Sequence, residues 1–139
     1  MVSIVEKFYF RDTEHSLNLF LKTSNNPVAK FSIDTGQQCC ENFGIHVSFT
    51  ENNKCTNTED LAPLLGKQFI SIKYDHARCT ADYYDHDQDG GRVVFNLALK
   101  DPVSGTIEIV KILIFNDHNG YYPHSFYVEG FGIKDQGSI

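Results

Sequence analysis

Ile107-Glu108-Ile109-Val110-Lys111-Ile112-Leu113-Ile114-Phe115 decides the fold class of this chain. Ile109, Val110, Ile112, Leu113, Ile114 and Phe115 load both faces of an extended segment and only Lys111 interrupts them, the pattern expected of a central strand covered on two sides. The segments around it alternate instead. Leu17, Leu19 and Leu21 alternate with Ser16, Asn18 and Phe20, Ala29, Phe31 and Ile33 with Lys30, Ser32 and Asp34, and Ile45, Val47 and Phe49 with His46, Ser48 and Thr50. Ile70, Ile72 and Tyr74 oppose Ser71 and Lys73, Phe95, Leu97 and Leu99 oppose Asn96 and Lys100, and Phe126 and Val128 oppose Ser125 and Tyr127. These are half-buried strands of antiparallel type.

Turn chemistry separates them. Asn25-Asn26-Pro27 and Asp101-Pro102-Val103-Ser104-Gly105 mark two connections, and Asn119-Gly120 is a type I′ hairpin signal that predicts Ile107–Phe115 and Phe126–Phe131 as neighbouring strands. Helix is confined to a short turn within Thr58–Gly66 and a second at Cys39–Phe43. The reading is a mainly β, single-domain antiparallel sandwich or partly closed barrel with one or two short helical turns, spanning residues 1–133, with 134–139 as a C-terminal tail. Alternation fixes which face is buried and leaves strand order open.

Composition sets limits on function. The chain has 139 residues, enough to bury a core without metal or disulfide support. Twelve Lys and Arg against 18 Asp and Glu give a net charge of −6, which leaves binding to extended nucleic acid without an electrostatic footing. No run of apolar residues is long enough to span a membrane, and the opening Met1-Val2-Ser3-Ile4-Val5-Glu6-Lys7 lacks the basic head and apolar stretch of a secretory signal, so a cytoplasmic protein without membrane association is expected. Cys39 and Cys40 are adjacent, Cys55 and Cys79 lie in polar stretches, and no CxxC spacing occurs, so reduced thiols are the default.

The densest chemistry lies in Asn116-Asp117-His118-Asn119-Gly120-Tyr121-Tyr122-Pro123-His124. Tyr121 and Tyr122 offer stacking faces, while Asn116, His118, Asn119 and His124 offer directional donors and acceptors, a mix suited to a planar polar ligand such as a nucleotide. Each type also has an ordinary turn role. Cys39, Cys40 and Glu41 are expected on a loop beside this rim, with Lys67, Arg78 or Arg92 meeting phosphate. Asp85-His86-Asp87-Gln88-Asp89-Gly90 matches the opening of a calcium loop, where Asp85, Asp87 and Asp89 would face one cation. Position twelve of that pattern is Asn96 and a strand follows, so any calcium binding is weak and a solvated acidic loop is the plainer reading. No cofactor is otherwise expected. GxSxG, HExxH, GxxxxGK[ST] and GxGxxG are all absent from the sequence.

Cys39-Cys40-Glu41, Leu64-Leu65-Gly66-Lys67 and the N-x-H-N-G-Y-Y-P-H run at Asn116–His124 together resemble a family of short uncharacterised domains found in bacteriophage and large-virus genomes and in bacterial hosts, over about Phe31–Val128. The resemblance brings no catalytic residues with it. It implies a viral accessory protein that counters host defence. The expectation is therefore a non-enzymatic binding protein that sequesters a small polar, nucleotide-like ligand in the host cytosol, with dimerisation as a way to complete the pocket. The alternatives are an inhibitor that covers the surface of a host defence protein, and a metal-dependent hydrolase using His118, His124 and Asp117.

Overall fold

The computed structural model describes residues 2–36, 42–49, 54–75, 91–117 and 124–139. Among them are nine strands, β1 (Ser3–Phe10), β2 (Ser16–Thr23), β3 (Ala29–Asp34), β4 (Asn42–Ser48), β5 (Gln68–Tyr74), β6 (Gly91–Lys100), β7 (Ile107–Asp117), β8 (Ser125–Gly130) and β9 (Ile133–Ser138), with one 3-10 turn at Thr58–Leu64. They form one open sheet in the order β4-β7-β6-β5-β1-β2-β3-β8-β9, and every neighbouring pair is antiparallel.

β1 is the corner of this sheet. Ser3 and Ile4 pair with Phe69 and Gln68 of β5, whereas Val5 to Phe10 pair with β2. The register slips between Val5 and Lys7, and such a bulge bends a strand enough for it to serve two layers. The sheet thus doubles into β4-β7-β6-β5 on one side and β1-β2-β3-β8-β9 on the other. β5 crosses the ends of the second layer: it begins beside β1, stacks Phe69 on Phe131 with centroids 4.5 Å apart, and ends where the Tyr74 hydroxyl donates to Asp135 of β9 at 2.6 Å. At the far end β4 crosses in the same way, with Phe43 stacked on His124.

The core fills the space between. Val93, Phe95, Leu97 and Leu99 of β6 and Val110, Ile112 and Ile114 of β7 meet Leu19, Leu21, Phe31, Ile33, Phe126 and Val128, all almost fully buried, and Phe31 meets Phe95 edge-on at 5.5 Å. Leu61 and Leu64 of the 3-10 turn close one side. This is the mainly β, sandwich-like architecture expected from period-two alternation.

Four expectations are corrected. β7 lies between β4 and β6 but is covered along its whole length on one face only, since on the other Ile107 and Ile109 keep 56% and 50% of their surface exposed and, among the described residues, Phe115 alone is buried, while Val110, Ile112 and Ile114 keep none. β7 and β8 are not neighbours: β7 pairs with β4 and β6, and β8 with β3 and β9, because the chain passes from one layer to the other between them. Asn119-Gly120 lies outside the described residues. Residues 134–139 are no tail. They complete β9, and Ile139 is buried against Gly91, where an added Cβ would lie 3.1 Å from that of Ile139. Lastly, Asn42 and Phe43 open β4 instead of a helical turn, while residues 39–41 lie outside the described residues. A smaller departure is Ile70, which a register shift between Phe69 and Ser71 leaves 42% exposed.

Two turns yield predictions. Gly130 has φ +148, and a Cβ there would sit 2.3 Å from Ala29 Cβ and 2.7 Å from Ala29 Cα. Backbone gives way poorly, so Gly130→Ala is expected to cost about 2–4 kcal/mol in chemical denaturation, and an unchanged midpoint would contradict this close approach of β8 to β3. In the β6–β7 turn, Asp101 Oδ1 accepts from the backbone N–H of Ser104 at 3.0 Å and of Val103 at 2.8 Å, and these bonds hold its pKa below the ordinary 3.8. A depressed carboxylate stabilises the fold above 3.8 and loses that contribution as pH falls through the lower folded value. The Val103 and Ser104 amide shifts should therefore titrate with a midpoint below 3.8, and a midpoint above it would show that the bonds do not persist in solution.

Candidate functional site

At one end of the sandwich the ends of β3, β4, β6, β7 and β8 converge. Phe43 and Gly91 both pair with Asn116, and Asn42 with Asp117. Asn116 and His124, expected at a ligand rim, are interior here, with 0% and 1% of their surface exposed. The Asn116 Nδ2 donates to the Ile139 carbonyl at 2.9 Å, and the backbones of His124 and Ile139 exchange two bonds at 2.7 and 2.9 Å. The His124 ring lies 3.9 Å from that of Phe43 at an interplanar angle of 19°. Its Nδ1 sits 2.7 Å from the Asp34 carbonyl oxygen, which can only accept, so Nδ1 carries the proton. These two side chains tie both layers and the last residue together. His118, Asn119, Tyr121, Tyr122, Cys39, Cys40 and Glu41 lie outside the described residues, as do Asp85, Asp87, Asp89 and Arg78. Among the described residues, no three His, Cys, Asp or Glu side chains are grouped to hold a metal ion. Lys67 forms an ion pair with Glu108.

Arg92 opens onto a different surface. On the outward face of β4, β7 and β6, a depression of about 240 Å³ is floored by Val94 and Leu113 and rimmed by His46, Lys54, Arg92 and Lys111. The register builds it. His46 pairs with Leu113, Leu113 with Val94, and Ser48 and Asn96 with Lys111, so the outward residues of three strands form consecutive cross-strand rows. Lys111 Nζ donates to Asp75 Oδ2 at 2.8 Å and Asn96 Oδ1 at 3.1 Å, while Asn96 Nδ2 donates to Asp75 Oδ1 at 3.2 Å, which fixes the far rim. Among the described residues, Arg92 and Lys54 form no ion pair, and both are exposed. Two cations unpaired among the described residues, beside an apolar floor and with Asp75 taken up by Lys111, make a local positive field on a chain of net charge −6. An adjoining depression of about 220 Å³ shares His46, Lys54, Arg92 and Leu113 and adds Asn42 and Phe115, whose ring lies 4.5 Å from that of His46.

Three other concavities are larger: one of about 290 Å³ continues past Asn42, His46 and Phe115 toward Phe10, Asp12 and Leu17, and two are differently lined. One of about 720 Å³ runs beside β5 over the stacked Phe69 and Phe131, and one of about 530 Å³ lies on the outer face of β2, β3 and β8 and carries Ser16, Ser32, Ser125 and Tyr127. Among the described residues, the first of these two carries Lys134 opposite Glu129 and the second no Lys or Arg, so neither brings two unpaired cations together. Sequence reasoning reached Arg92 but missed His46, Lys54, Lys111 and Leu113, which are ordinary outward residues until strand pairing sets them side by side.

No protein-family model matches the chain, and neither a curated protein nor a solved structure matches it. The fold and the cationic depression on its outer face are thus the ground for a functional reading. No helix among the described residues is long and apolar enough to cross a membrane.

Proposed function

We propose that this protein is a non-enzymatic binding module that holds a small phosphate-bearing, nucleotide-like ligand in the trough rimmed by Arg92 and Lys54. The observation that carries this reading is the convergence of two unpaired cations, among the described residues, on one apolar-floored depression of an acidic chain. Arg92 supplies the planar fork that matches phosphate oxygens, Lys54 a mobile second charge, and Val94 and Leu113 a surface for the ligand's body. His124 and Asn116 lie in the interior behind this face, where His124 stacks on Phe43 of β4 and Asn116 donates to the Ile139 carbonyl. Sequestration requires binding alone, which agrees with the role in countering host defence that the family resemblance implies.

A second reading, a surface that covers a host defence protein, draws support from the exposed Ile107 and Ile109 on β7. Calorimetric titration with adenosine monophosphate and with inorganic phosphate separates the two. Saturable heat that shrinks as salt rises is expected for the trough. Silence with both would overturn the ligand reading and move weight to a protein partner.

A further inference from the structure

We infer that the ligand carries its phosphate internally, linking two organic bodies, instead of at one end. This rests on the anion-binding reading above and extends it to the ligand's shape. The depressions of about 240 and 220 Å³ are nearly equal in size, and both are lined by His46, Lys54, Arg92 and Leu113. These four residues therefore stand between two lobes, with the charge of Arg92 and Lys54, unpaired among the described residues, at the junction and away from either far end.

A terminal phosphate held at that junction would send its single body into one lobe and leave the other to water. An internal phosphate has a substituent on each side and fills both. Each lobe also pairs a polar group with an apolar surface, as a heterocycle with a hydrogen-bonding edge requires: Ser48 and Asp75 beside Val94 in the first, Asn42 beside Phe115 in the second. The chemical class is a dinucleotide joined through one phosphodiester or through a pyrophosphate. Two cations at the junction match the two negative charges of the pyrophosphate form more closely.

The test is calorimetric titration of the full chain with adenosine monophosphate, with diadenosine monophosphate, and with diadenosine diphosphate. At least one dinucleotide is expected to bind about tenfold or more tightly than the mononucleotide, because one anchored phosphate then places two bodies instead of one. Amide shifts supply a second readout: a dinucleotide should perturb Val94 and Phe115 together, and the mononucleotide only one of them. Mononucleotide affinity equal to or above that of both dinucleotides overturns this inference and leaves the anion site standing. No binding by any of the three overturns both.

Discussion

Replacing His124 by alanine is expected to destabilise the fold by about 3–5 kcal/mol, the range for deleting a large buried ring, with a further contribution from the lost bond to the Asp34 carbonyl. The ring lies 3.9 Å from Phe43 in the opposite layer, so its removal opens a cavity where β4 crosses β8. Chemical denaturation measures the loss. Ligand affinity, measured on the fraction that remains folded, should stay within about twofold, since Arg92 and Lys54 lie on the outer face and His124 in the interior. A variant of native stability that no longer binds would show the opposite arrangement, with the imidazole at the ligand and dispensable to packing.

Arg92→Ala combined with Lys54→Ala is expected to weaken phosphate-ligand binding by about 100-fold or more. Bonds from charged donors are worth about 1.5–3 kcal/mol each, and the two act on one ligand, so the double loss is not a simple sum. Because both side chains are exposed, stability should change by no more than about 0.5 kcal/mol. Calorimetry against the same nucleotides and a denaturation curve give the two numbers. Unchanged affinity in the double variant would remove the trough from consideration, while a large loss of stability would mean that these cations hold the structure.

Much of the architecture is legible in the sequence, because alternation reports which face of a strand is covered. Phe95, Leu97 and Leu99, Ala29, Phe31 and Ile33, and Phe126 and Val128 are all interior as their spacing predicts. Alternation carries no information on partners, and there the reading of Ile107–Phe115 goes astray. Its apolar residues at both parities look like two-sided cover, yet Leu113 and Phe115 lie against cross-strand neighbours from β4 and β6, and Ile107 and Ile109 remain exposed. The same limit hides the trough. Lys54 and Lys111 are separated along the chain and come together only through pairing of β4 with β7 and the bridge of Cys55 to Val47, which no local pattern encodes. Conversely, the polar richness of Asn116 and His124 marks a buried junction as readily as a binding rim, since a polar side chain in the interior needs partners, and Asn116 Nδ2 has the Ile139 carbonyl and His124 Nδ1 the Asp34 carbonyl.

The most direct measurement is a two-dimensional amide spectrum of the protein titrated with adenosine monophosphate. Binding at Arg92 and Lys54 predicts concentration-dependent shifts at Arg92, Val94, Lys111 or Leu113, with Phe69 and Phe131 in the β5 groove and the His124 amide in the interior unmoved. Shifts confined to that groove or to His124, with the β4, β7 and β6 outer face silent, would contradict a ligand site on that face.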